Sequence, residues 1–129
     1  MLEDLGIHII ELSGNIHATA KDMVGQTFDN ITIQKDAYFI DYAKELKKEI
    51  NVPIITVGGF KHIEEIEKIY NDTNIDFYAL SRSLICDSNL IERWIDGNIT
   101  PAKCIRCSKC RTANGNYCTA FNYYIENIE

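Results

Sequence analysis

The chain has 129 residues, 46% of them apolar and 25% charged, with a net charge of −6 and no run of basic residues. That length suffices for one domain with its own core, and the acidic balance argues against nucleic acid or an anionic membrane as a partner. No apolar segment reaches the roughly 20 residues that span a bilayer. The opening MLEDLGIHII lacks a basic stretch and a small-residue cleavage site, so no secretory signal is expected.

The first expected element is a buried strand in IHIIEL (7–12), set off by Gly6 and by Ser13-Gly14-Asn15. Residues 13–35 carry no strong period and read as a long loop. Asp36 is placed to cap a helix through AYFIDYAKELKKEI, where Ala37, Ile40, Ala43, Leu46 and Ile50 recur at helical steps and lysines crowd the last turns. A strand follows in PIITV, ending at Gly58-Gly59, and then a helix over 62–70 with Ile63, Ile66 and Ile69 or Tyr70 on one face. DFYAL reads as a third strand and SRSLICD as a loop. Ser88 is placed to cap a helix over 89–96, with Leu90, Ile91, Trp94 and Ile95 inward and Gly97 just past its end. Strands alternating with helices in this way predict a parallel sheet with right-handed crossovers. The strands are continuous apolar runs, as expected where both faces of a sheet are covered.

Two turns are suited to an anion. In ITVGGF, two glycines stand where a strand stops and a helix begins, so the backbone can take positive φ and approach a phosphate closely. In YALSRSLI the next strand ends on Ser81 and Arg82. Adjacent parallel strands would set both turns at the same edge of the sheet, like the phosphate corner of a (β/α)₈ barrel. Alone, each turn is ordinary: glycine pairs are common turn residues and strand-end arginines are commonly solvated.

Cys104, Cys107, Cys110 and Cys118 lie in the run CIRCSKCRTANGNYC. Thiolates so closely spaced point to a metal, either an iron–sulfur cluster or zinc. Three crowded cysteines suit a [4Fe–4S] cube, whereas zinc sites more often use two separated pairs. An odd count of five cysteines, four of them clustered, fits reduced thiols in a cytoplasmic protein better than a disulfide framework, and leaves Cys86 as a buried or bystander thiol. His8, His17 and His62 have no partner at metal spacing, and His8 is expected inside the first strand. Ser13 and Asn15 would reach the same edge as the anion turns. Tyr38, Tyr42, Tyr70 and Tyr78 read as packing residues, and the charges of 44–49 and 61–68 as solvated helix faces.

In their order, IIELSGN, AYFIDYAKELKKEINVPIITVGGF, DFYALSRSLICDSNLIERWIDG and PAKCIRCSKC resemble the C-terminal third of the Old Yellow Enzyme family, NADH:flavin oxidoreductases that hold FMN in a (β/α)₈ barrel. The resemblance extends to about residue 118. It implies an α/β chain carrying the last three βα units of a TIM barrel (1–100, strands six to eight) and a cysteine-rich metal-binding tail (101–129). It also implies that Gly58, Gly59, Ser81 and Arg82 bind the FMN phosphate. The iron–sulfur branch related to 2,4-dienoyl-CoA reductase and trimethylamine dehydrogenase has a similar cysteine triplet with a longer gap to its fourth cysteine. There the cluster passes single electrons to FMN, so Cys104, Cys107, Cys110 and Cys118 would be ligands to [4Fe–4S], with zinc as the alternative. The family often has Gly-Arg-Pro where this chain has Ser81-Arg82-Ser83, and losing the proline is expected to loosen that turn.

A complete barrel takes about 250 residues. The family's flavin-ring contacts, active-site histidines and proton-donating tyrosine have no counterpart here, so no catalytic residue is assigned. The expected identity is therefore part of an FMN-dependent NAD(P)H oxidoreductase, inactive alone, that pairs with a chain supplying the missing strands or self-associates. The alternatives are a stand-alone iron–sulfur or zinc module and an inactive remnant.

Overall fold

A computed structural model of the chain describes residues 3–13, 36–107 and 109–121. Asn15, His17 and the rest of the expected loop at 14–35 lie outside the described residues. Three parallel strands, β1 (Ile10–Leu12), β2 (Ile54–Val57) and β3 (Phe77–Ala79), form one sheet in the order β1-β2-β3. Ile10 is opposite Ile54, and Ile55 opposite Phe77. The crossovers carry α1 (Ile40–Glu49) and α2 (Ile63–Asp72). The fold is α/β with a small parallel sheet, as expected, and its element order matches part of a barrel.

The period-two alternation of the strands sorts their residues into two faces. Ile54 and Thr56 are fully buried on one face, where Ile10, Leu12 and Tyr78 also join the main core with Ala43, Phe60 and Ile75. α1 starts at Ile40 because Ala37 takes φ +43, outside the helical region, and Phe39 occupies the cap position without a side-chain bond. Asp36 is thus not the helix cap. Tyr42 and Tyr70, expected to pack, are exposed, as is His8, which precedes β1. Lys47 is not simply solvated: it is half-buried and paired at 2.9 Å with Asp76, whose same carboxylate oxygen accepts from the Ile54 amide.

The expected loop after β3 is instead a short helix, α3 (Arg82–Cys86), followed by α4 (Leu90–Ile95). Asn89, not Ser88, sits at the start of α4. Leu90 and Trp94 are buried with Ala102 in a second core cluster, but Ile91 and Ile95 face outward, Ile95 with 79% of its surface exposed. A six-residue helix offers only one narrow inward stripe, so four apolar positions could not all be covered. α4 ends in a Schellman turn: the Gly97 amide donates to Trp94 O and the Asn98 amide to Arg93 O, with Gly97 at φ +86. Arg93 braces this end, donating to Asp87 at 2.7 Å and to the Thr100 carbonyl at 2.7 Å. In the cysteine segment a small antiparallel hairpin forms, β4 (Arg111–Thr112) and β5 (Gly115–Asn116).

Candidate functional site

The C-terminal ends of β2 and β3 lie side by side, because Val57 is opposite Ala79 in the register. The residues that follow, Gly58, Gly59, Ser81 and Arg82, line one cavity of about 50 Å³. A cavity needs only about 10–15 Å³ to admit a water, so this one has room for a phosphate-sized group but not for a flavin ring. Both glycines have positive φ, +118 and +82. At Gly58 a Cβ would lie 2.4 Å from the Tyr38 ring. Tyr38, expected to pack on a helix, instead precedes α1 and forms a wall of this cavity.

Three successive carbonyls of the glycine turn are each held by a donor from later in the chain. Gly59 O accepts from Arg106 Nη2 at 2.7 Å, Phe60 O from Ser83 Oγ at 2.6 Å, and Lys61 O from the Ala102 amide at 2.9 Å. Ser83 therefore stitches the two anion turns together, a bond that proline in its place could not make. The buried Ser83 lies within a short helix. Arg106 also pairs with Asp36 and lines the cavity beside Arg82. Partial burial pulls the Arg106 pKa below its ordinary value.

The thiols are next door. Cys104, Cys107, Cys110 and Cys118 line a second cavity, of about 20 Å³, together with Cys86. Arg82 and Cys104 belong to the walls of both cavities. Burial, expected for Cys86, then a hydrogen bond and charge interaction with Cys118, push its thiol up to about 12. It sits at the end of α3, which brings it into the group, a placement that a loop over SRSLICD would not predict. All five cysteines are free of disulfides. Among the described residues, no three His, Cys, Asp or Glu side chains stand in an arrangement ready to hold a metal ion. Lining one small cavity is a weaker condition than converging on one point, so the thiols are neighbours but not preset ligands. In donor chemistry they suit a soft metal, while the present volume is nearer that of a single ion than of a cube. Nor is any helix among the described residues long and apolar enough to cross a membrane.

A parallel sheet edge with an anion-sized cavity against a nest of thiols is a site suited to redox chemistry, and similarity to known proteins points the same way. The chain is 31% identical over 110 residues, 84% of its length, to an NADH oxidase of Thermoanaerobacter brockii. It is 26% identical over 76 residues to a 4,4'-dithiodibutanoate disulfide reductase of Rhodococcus erythropolis, and 24% identical over 110 residues to a bilirubin reductase of Clostridium symbiosum. The shared stretches make up only 16%, 19% and 29% of those three proteins. No family model and no solved structure matches the chain. The relatives are all named as oxidoreductases, and the chain is similar to part of each.

Proposed function

We propose that this chain is the C-terminal part of a cytoplasmic flavin-dependent NAD(P)H oxidoreductase of the Old Yellow Enzyme type. In this reading residues 1–100 are the sixth to eighth strands of a (β/α)₈ barrel with their helices, and 101–129 a metal-binding tail. The observation that carries it is the meeting of Gly58, Gly59, Ser81 and Arg82 on one cavity whose wall is shared with the thiols.

The chain's own residues would bind and orient. The glycine turn would offer backbone amides to the FMN phosphate, with a Cβ excluded at Gly58, and Arg82 would add a guanidinium suited to phosphate oxygens. When bound, FMN supplies the hydride and electron transfer. The cavity accounts for its phosphate alone, and the ring would lie among strands this chain does not contain. Cys104, Cys107, Cys110 and Cys118 supply thiolates for a [4Fe–4S] cluster or, alternatively, zinc, for which the loop must widen or converge. Partners supplying the missing strands would cover the less buried face and the outer edges of β1 and β3, which are unpaired among the described residues and otherwise favour self-association. The isolated chain is expected to be catalytically inactive.

Protein purified without oxygen and assayed for iron, sulfide, zinc and FMN tests this reading. Stoichiometric iron with labile sulfide supports the cluster. Zinc alone favours a small metal module, and absence of both metals counts against the thiol assignment. FMN should be retained only when the upstream strands are co-expressed. FMN that stays unbound in that complex would overturn the flavoprotein reading.

A further inference from the structure

Arg106 stands out on three counts. It sits between two cysteines of the segment, its own amide lying 3.4 Å from Cys104 Sγ. It holds φ +56, a left-handed conformation that costs a non-glycine residue about 1 kcal/mol or more. Its side chain leaves the cysteine segment altogether, donating to Gly59 O at 2.7 Å and pairing with Asp36. The strained backbone is what aims that side chain at the glycine turn.

We infer that Arg106 is a positioning residue that couples the state of the thiol segment to the anion pocket. The inference rests on the proposed phosphate and metal roles and goes beyond them. A trans peptide points its carbonyl and its following N–H in opposite directions. By holding Gly59 O, Arg106 therefore fixes the direction of the Phe60 amide as well. Ser83 and Ala102 do the same for the next two peptides, but only Arg106 does so from within the cysteine run. Drawing Cys104 and Cys107 onto one metal ion moves the backbone on both sides of Arg106, and with it the hold of Arg106 on the turn. Metal binding and phosphate binding then change each other's affinity by the same factor, as linkage requires.

The test uses the full chain, inorganic phosphate as the anion and one equivalent of Zn²⁺ as the thiol probe, with phosphate affinity read from amide NMR shifts. In the wild type, Zn²⁺ should change phosphate affinity about fivefold or more. Arg106→Gly should keep its far-UV circular dichroism, because glycine suits φ +56. It should bind phosphate about tenfold more weakly, the loss of roughly one strong hydrogen bond. Its phosphate affinity should no longer respond to Zn²⁺, a change that a simple loss of stability would not produce. Phosphate affinity in the wild type that is indifferent to Zn²⁺ overturns the coupling, with no variant required. An Arg106→Gly chain that matches the wild type overturns it too. Both results leave the pocket itself standing, whereas a wild type that binds no phosphate removes the pocket reading and the coupling together.

Discussion

The two faces of the sheet have opposite fates. One buries Ile54 and Thr56 completely under helices and core residues; the other carries Ile55, Val57 and Phe77, of which Phe77 is 52% exposed. Both are apolar at the centre. A strand read alone predicts two covered faces, but among the described residues only the helix-packed one holds fully buried residues. That second face is half-buried to exposed among the described residues, and the chain matches under a third of the length of these three relatives.

The sharpest way to break this contrast is a paired truncation on neighbouring residues of β2. Ile54→Ala should cost about 2–5 kcal/mol in urea unfolding, the usual loss for a buried aliphatic. Ile55→Ala should cost less than about 1 kcal/mol in the isolated chain. That cost should grow when upstream strands are supplied, and equal costs for the two variants in the isolated chain would erase the distinction.

A smaller effect is expected at the end of the same strand. Gly58→Ala places a methyl into the Tyr38 ring at φ +118 and should destabilise by about 2–3 kcal/mol in the same assay. Adding Tyr38→Ala should recover part of that loss, the part due to collision rather than to φ.

Thr56 supplies a change of opposite sign. Its hydroxyl is buried without a protein partner among the described residues. Thr56→Val should therefore stabilise the chain by about 1 kcal/mol, measured as a raised urea midpoint.

The smallest effect concerns the exposed end of the sheet. Desolvation opposes ionisation of Asp76, but the Ile54 amide and Lys47 outweigh it and hold this carboxyl below its ordinary 3.8. A depressed folded value means the stabilisation is present above about pH 3.8 and fades as pH falls below it. Asp76→Asn should flatten the acid limb of a stability–pH curve without altering its neutral plateau beyond the loss of the ion pair. An unchanged acid limb would show that Asp76 does not contribute.

The sheet and its helices were legible because their signals are local: β-branched runs in PIITV and helical steps of isoleucine after His62. The meeting of the Gly58-Gly59 and Ser81-Arg82 turns was legible for the same reason, since adjacent strands in a parallel sheet carry their ends to one edge. What escaped notice depends on contacts distant in sequence. Nothing in SRSLICD announces that Ser83 will tie to Phe60 or that Cys86 will face Cys118. Nothing near Arg106 foretells Gly59, 47 positions away. Positive φ at Ala37 and Arg106 is a tertiary outcome, and neither residue type advertises it.

The brace at Arg93 has a consequence for how the molecule could be re-engineered. Because it holds Asp87 and Thr100 together, and Ala102 is pinned to Lys61, the chain is already anchored before the first thiol of the run begins. Other loops could be spliced in after residue 102 without touching these two anchors. Each graft would have to bring its own arginine at the fourth place to keep a grip on the glycine bend.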